Sequence, residues 1–473
     1  MANIDWKLEV EKRKEDLIKD LQGLLRIRSV LDEKHATEDA PLGKEVKEAL
    51  TYLLELGKKD GFVPKNTGNL AGHLELGEGK GLIGILCHVD VVPEGEGWSV
   101  DPYGGEIKDG RIYARGAIDD KGPTMAAYYA MKIVKELGLP LKKRVRMIIG
   151  TDEESDWRCV HHYFQQEEMP EAGFAPDADF PIIHAEKGIA DFDLVQFPGH
   201  PDGKKSKITL LSFSSGRRYN MVPDFAKAVL DIKQDQTEVL QLFNDFKRSQ
   251  NVQGKYYVES GYLIIELEGV SAHGMEPDHG KNAGLLLASF LSALDLDSRG
   301  KDFACAAVTF FFGDSRGRAL GVQYRDDITG ELTINVGKLE YNEQDGGRFG
   351  LNMRYPVTFN VEEGIQCIQK HAEESGFTMK DLSDSKPHHV PKDHELIQTL
   401  QRVYEEQTHR PAELLAIGGG TYARSLESGV AFGALFPGRP DVAHQKDEYM
   451  ELEDLLKATA IYAQAIYELA CEA

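Results

Sequence analysis

The run Ile83-Gly84-Ile85-Leu86-Cys87 leads without a polar break into His88-Val89-Asp90. An uninterrupted apolar run of this length predicts a strand buried on both faces, as in a parallel or mixed sheet covered by helices. Ligands of such sheets bind at the carboxyl ends of the strands, where His88 and Asp90 fall. Strand alternation puts both residues on one face. A histidine beside a carboxylate suggests a metal ligand whose second nitrogen is oriented by the acid. Taken alone, the motif also describes a core histidine and a solvated aspartate at a strand end.

Further along the chain the same pattern returns. Helical spacing of Leu17, Ile18, Leu21, Leu24 and Leu25, then of Val46, Leu50, Leu53 and Leu54, predicts two amphipathic helices. Strands are predicted near Asn69–Leu76 and Leu82–Cys87. A loop from Val92 to Gly110 leads to Arg115-Gly116-Ala117-Ile118-Asp119-Asp120-Lys121-Gly122-Pro123, with a helix opening at the proline. Alone, the two aspartates could serve as an N-cap. A second apolar strand, Arg144 to Gly150, ends in Thr151-Asp152-Glu153-Glu154-Ser155. Two buried strands thus deliver acids at their carboxyl ends, and such a cluster calls for a cation. Pro176-Asp177-Ala178-Asp179-Phe180-Pro181 reads as a turn in which either acid could also be a ligand.

The chain has 473 residues, 41% of them hydrophobic, enough for two domains with large cores. From about Glu186 to about Ser385 strands alternate with two helical stretches, Glu238–Ser249 and Asn282–Leu294. We read this as an α+β domain inserted into the first: 1–185 and 386–473 form one domain and 186–385 the insert. The insert contains Tyr219-Asn220-Met221, Ser271-Ala272-His273-Gly274 and Asn352-Met353-Arg354. Beyond it, a strand over Glu413–Ile417 precedes Gly418-Gly419-Gly420-Thr421-Tyr422-Ala423, and another over Val430–Phe436 leads towards His444. The triple glycine lacks the residues of a P-loop, and it suits close approach of a small substrate to the backbone.

Lys plus Arg number 55 against 78 Asp plus Glu, a net charge of −23, which argues against nucleic acid or anionic membranes as partners. Five cysteines without a CxxC pair argue against a disulfide framework or a thiolate zinc site and fit a reducing compartment. No run is long enough to span a bilayer, and the N-terminal residues lack an apolar signal region. The expectation is a soluble cytoplasmic protein.

His88-x-Asp90, Asp119, Glu153-Glu154, Asp177 and His444 together suit two zinc ions sharing a carboxylate. Over nearly its whole length the sequence resembles the aminoacylase/carboxypeptidase superfamily of co-catalytic zinc peptidases, and within it the PepV-type, carnosinase-like dipeptidases. The resemblance rests on Leu86 to Pro93, Arg115 to Pro123, Thr151 to Ser155 and Gly418 to Ala423. It implies an α/β zinc-peptidase catalytic domain, with a mixed, mostly parallel sheet flanked by helices, and an inserted α+β lid. It further implies that Asp119 bridges two Zn2+, which Mn2+ or Co2+ could replace. His88 and Asp177 would complete one site, with Asp179 the alternative to Asp177. Glu154 and His444 would complete the other. Asp90 would orient His88, and Glu153 would be the general base. His273 would polarise the scissile carbonyl, and Asn220, Arg354, Gly419 and Thr421 would face the substrate. A cis peptide between Asp119 and Asp120 is also implied.

The function expected from the resemblance is zinc-dependent hydrolysis of dipeptides, and of short peptides with a free N-terminus. Smaller relatives dimerise through the lid. This insert is about the size of a full domain, so we expect a monomer. Two alternatives remain: a deacylase or carboxypeptidase acting on N-acyl amino acids with the same metals, and a metal-dependent binding protein without activity. Glu153 disfavours the second.

Overall fold

A computed structural model describes residues 4–197, 206–233 and 235–471. The described chain divides into two compact units. The first comprises Met1–Ala185, His389–Leu415 and Thr421–Ala473, and the second Glu186–His388 and Ala416–Gly420. The segment 416–420, which includes the three glycines, therefore groups with the inserted block rather than with the C-terminal one.

The strand Leu82–His88 is buried at all seven positions, as its sequence requires. It lies between Arg144–Gly150 and Ala172–Ala175, parallel to both. Gly429–Ala431 continues the parallel block beside Ala172–Ala175. Outside it the sheet is antiparallel: Val63–Thr67 pairs with Ala71–Leu76, Ala71–Leu76 with Arg144–Gly150, and Ala431 with Ile183. The sheet is thus mixed, with a parallel block at its centre. The tight turn at Gly68 and Asn69, both at positive φ, joins two flanking strands that can only run antiparallel. Helices Lys121–Glu136 and Leu452–Cys471 are buried along most of their lengths and share one hydrophobic core with this sheet.

The expected strand over Val430–Phe436 is interrupted. Gly429–Ala431 and Ala434–Leu435 are separate short strands in different sheets. The break falls at Gly433, which has φ +77°, and a Cβ there would stand 2.3 Å from the Phe180 ring. Only glycine fits both constraints.

The second unit is an eight-stranded sheet with its own hydrophobic core. Its assigned neighbours are all antiparallel, in the order Gly254–Glu259, Tyr262–Glu268, Phe225–Ile232, Ile208–Ser215, Thr333–Asn342, Gly346–Tyr355, Gly188–Gln196, Phe377–Ser385. Among the described residues of the unit four helices bury apolar faces, not the two that periodicity suggested: Thr237–Gln250, Ala283–Ser292, Ser298–Phe311 and Val361–Glu374. Gly300 weakens the pattern of the third, yet Asp297 caps it by accepting from the Gly300 N–H at 2.9 Å. No helix among the described residues is long and apolar enough to cross a membrane.

Candidate metal centre

The ends of the central strands bring six side chains of the first unit together. The ligand atoms of His88, Glu153 and Asp177 all lie within 4.8 Å of one another, and so do those of Asp119, Glu154 and His444. Asp119 stands between the two sets. Its Oδ1 is 3.1 Å from Nε2 of His88 and its Oδ2 is 3.0 Å from Nε2 of His444. His444 Nε2 is also 3.0 Å from Oε1 of Glu154, and His88 Nε2 is 3.6 Å from Oδ2 of Asp177. Asp179 belongs to neither set among the described residues.

Local backbone chemistry sets these positions. The Val89 N–H donates to the Gly150 carbonyl at 3.1 Å, which extends the pairing of the two central strands to their acid-bearing ends. The His88 N–H donates to Asp120 Oδ2 at 3.2 Å, and Thr124 Oγ1 donates to the same oxygen at 3.0 Å. The peptide between Asp119 and Asp120 is cis. Asp90 Oδ2 accepts from the Glu154 N–H at 3.0 Å. Nδ1 of His88 lies 3.1 Å from the backbone oxygen of Asp90 and 3.5 Å from its carboxylate. The closer contact of His88 Nδ1 is thus with the Asp90 main chain, while the Asp90 side chain braces the turn that carries the glutamates.

Electrostatically the cluster is crowded. Burial opposes charge on His88, but Asp119, Asp177 and Asp90 outweigh it and raise its pKa well above the usual histidine value. Asp119 and Glu154 push His444 up to about 11. Burial works against ionised Asp119, yet His444 and His88 hold its carboxyl below the ordinary range. Burial and the Asp119 charge push Asp177 up to about 6. Burial, chiefly, raises Glu153 well above its ordinary value and Glu154 above its own. Acids outnumber the two imidazoles, and Nε2 of His88 and Oδ1 of Asp90 are buried without a well-aligned hydrogen bond. Such a donor set fits divalent cations of the zinc type, which take imidazole and carboxylate ligands.

Two contributors have no signature in the sequence pattern. Glu448, fully buried, accepts from the backbone N–H groups of Ile118 at 3.0 Å and Asp119 at 3.3 Å. Tyr422 is fully buried and stands edge-on to the His88 ring at 5.9 Å. Its position in the glycine-rich segment was visible, and its contact with His88 was not.

In the second unit, four expected substrate residues or their neighbours share a region. Met221 and His273 form an antiparallel bridge, and the Gly274 N–H donates to the Asn220 carbonyl at 2.7 Å. Nδ1 of His273 accepts from the Met275 N–H at 3.1 Å. Burial lowers the His273 pKa, and the charge of Arg354 lowers it further. Arg354, 5% exposed, donates from Nε to Asn352 Oδ1 at 2.8 Å and from Nη1 to the Gly418 carbonyl at 3.1 Å. Gly419 follows in the same unit, where an added Cβ would meet only Ile417 Cδ1 at 3.9 Å. Thr421 is buried in the first unit.

A parallel-centred sheet with imidazoles and carboxylates gathered near its strand ends fits a metal-dependent hydrolase. A family model described as peptidase family M20/M25/M40 matches residues 84–468, and the chain belongs to that family. It is a metallopeptidase. A Bacillus subtilis protein named "Putative dipeptidase YtjP" is 57% identical over 467 residues, covering 99% of this chain and all of that one. Among solved structures, human carnosine dipeptidase 1 has a similar fold, with a TM-score of 0.55 at 15% identity, covering 98% of each chain. The aminoacylhistidine dipeptidase of Vibrio alginolyticus has a TM-score of 0.59 at 12% identity, covering 97% of each chain.

Proposed function

We propose that this peptidase hydrolyses dipeptides with two zinc ions bound between His88 and His444. The observation that carries the reading is that the two carboxylate oxygens of Asp119 face different histidines, each grouped with further acids. In this reading Asp119 would be shared by the two ions, His88 and Asp177 would help hold one, and Glu154 and His444 the other. When bound, two such ions supply positive charge that acidifies water and polarises a carbonyl.

The chain's own residues do the rest. Glu153, grouped with His88 and Asp177, takes a proton from the attacking water and returns it to the leaving amine. Asp90 steadies His88 and the turn that carries the glutamates. His273 is neutral, and acceptance by Nδ1 leaves the proton on Nε2, which donates to the oxygen of the scissile carbonyl. Arg354, held in orientation by Asn352 and Gly418, grips the C-terminal carboxylate of the substrate, with Asn220, Gly419 and Thr421 lining the remainder. The 186–385 block acts as the lid of a 1–185 plus 386–473 catalytic domain. The protein works as a monomer in the cytoplasm, a reducing compartment that suits five cysteines without a CxxC pair.

The test is a panel of dipeptides, longer peptides and N-acetyl amino acids, assayed on metal-stripped protein titrated with zinc, manganese or cobalt. Metal-restored cleavage of dipeptides is expected. Preference for N-acetyl amino acids would make the protein a deacylase, and metal binding without turnover on any amide would make it a binding protein. Activity that tracks a dimer peak in light scattering on dilution would overturn the monomer.

A further inference from the structure

Arg115 and Glu448 form an ion pair in the interior of the first unit, Nη1 to Oε2 at 2.5 Å, with side chains 1% and 0% exposed. Removing two charges from water is costly, and a well-packed apolar pair would be no less stable. An apolar pair could not, however, accept hydrogen bonds. Oε1 of Glu448 accepts from the N–H groups of Ile118 and Asp119, and the Glu448 carbonyl accepts from Ala114 at 3.1 Å. Glu448 therefore holds the segment 114–119 at both ends. Arg115 is itself fixed, with Nη2 3.4 Å from the Pro93 carbonyl and 3.3 Å from that of Glu94, and its guanidinium over the Trp98 ring at 5.3 Å.

Glu448 lies four positions after His444. The same short segment thus supplies an imidazole to one oxygen of Asp119 and, through Glu448, an anchor for the Asp119 backbone. We infer that Glu448, braced by Arg115, is a positioning residue that fixes Asp119 so that its two oxygens serve both metal groups at once. This rests on the two-metal reading above. Partners that orient metal ligands typically change metal affinity 10–100-fold when removed.

The experiment is zinc affinity, measured by competition with a chelator on folded protein, with thermal stability recorded on the same samples. Wild type that binds no zinc would defeat the two-metal reading itself. Given zinc binding by wild type, Glu448→Ala is expected to weaken the more weakly held zinc about 10–100-fold. Glu448→Gln keeps an oxygen for the Ile118 and Asp119 N–H groups and should restore affinity to within a few-fold. It should still melt earlier than wild type, because Arg115 has lost its counter-charge. Should Glu448→Ala fail to fold, Glu448→Asp replaces it, keeping charge for Arg115 while withdrawing the oxygen from the two N–H groups. Its expected loss is about tenfold or more. Wild-type affinity in folded Ala or Asp variants would overturn the inference and leave a purely structural ion pair. A Gln variant that loses zinc as fully as Ala would overturn it too.

Discussion

Oδ2 of Asp119 lies 3.0 Å from Nε2 of His444, on the opposite side of the carboxylate from the oxygen that faces His88. A single acid between two imidazoles divides its neighbours, and the consecutive glutamates fall on either side. Glu154 approaches His444 at 3.0 Å, whereas Glu153 groups with His88 and Asp177.

That division separates the two glutamates experimentally. Glu153→Gln should leave zinc content unchanged and lower kcat by at least ~10²-fold, the usual scale of lost general-base catalysis. Glu154→Gln should lower zinc content first and activity as a consequence. Metal analysis and steady-state kinetics on the same preparations decide it. If Glu153→Gln loses stoichiometric zinc, Glu153 is a ligand and the roles exchange.

Removing the metal should expose the crowding of the acids as a pH dependence. In the metal-free chain the Asp177 pKa is raised from 3.8 to about 6, so the folded state holds that proton more tightly than the unfolded chain. The stability this contributes is present below pH ~4 and is lost as pH rises through 6. His444, raised to about 11, contributes stability that is fully present below its ordinary value and persists across this window. Metal-free protein should therefore lose stability between pH 4 and 6.5, and Asp177→Asn should flatten that loss. Chelator-treated samples melted across this pH range provide the check. A flat profile for the unsubstituted metal-free chain would contradict it. With zinc bound, the same substitution should destabilise.

How much of this was legible in the sequence follows from where the information sits. The residues at the central strand ends were readable because an apolar run fixes a buried strand and its last residues fix the site. His444 entered the set as the histidine that follows the last predicted strand, and only the resemblance gave it a role, since it lies in a loop with φ 62° and no periodic pattern around it. Glu448 was invisible, because its partners are backbone N–H groups far away in sequence. The helix Ser298–Phe311 was missed because apolar residues nearly surround its second half, which erases the amphipathic stripe. The split of Val430–Phe436 depends on Phe180 packing against Gly433, a tertiary contact that strand propensity does not encode.

Gly150 marks how tightly the site is backed. A Cβ there would fall 1.9 Å from the Tyr422 hydroxyl oxygen, and Tyr422 is fully buried against the His88 ring. Gly150→Ala should cost roughly 1–3 kcal/mol in stability through overpacking. Because Tyr422 must shift, zinc affinity should fall in the same variant. Pairing it with Tyr422→Phe, which removes the clashing hydroxyl, should recover part of both losses. Unfolding midpoints and zinc titrations on the single and double variants measure this, and an unaffected Gly150→Ala protein would refute it.

His273 and Arg354 should fail in different ways. His273 is fixed with Nδ1 occupied and Nε2 left as donor, and a donor to a developing oxyanion acts in the transition state more than in the ground state. His273→Ala should keep zinc and the fold, lower kcat by ~10²–10³-fold, and leave KM little changed. In the proposed reading Arg354 grips a carboxylate that is charged before, during and after the reaction. Its replacement by alanine should therefore fall substantially on KM. Arg354 also anchors the Gly418 carbonyl and Asn352, so Arg354→Lys, which retains charge without the planar fork, separates grip from packing. If His273 were merely a surface residue of its loop, its replacement would change stability by about 1 kcal/mol and leave kcat alone. Kinetics on a single dipeptide, with zinc content and melting temperature taken on the same samples, distinguishes the two cases. An unchanged kcat for His273→Ala would remove His273 from the proposed chemistry.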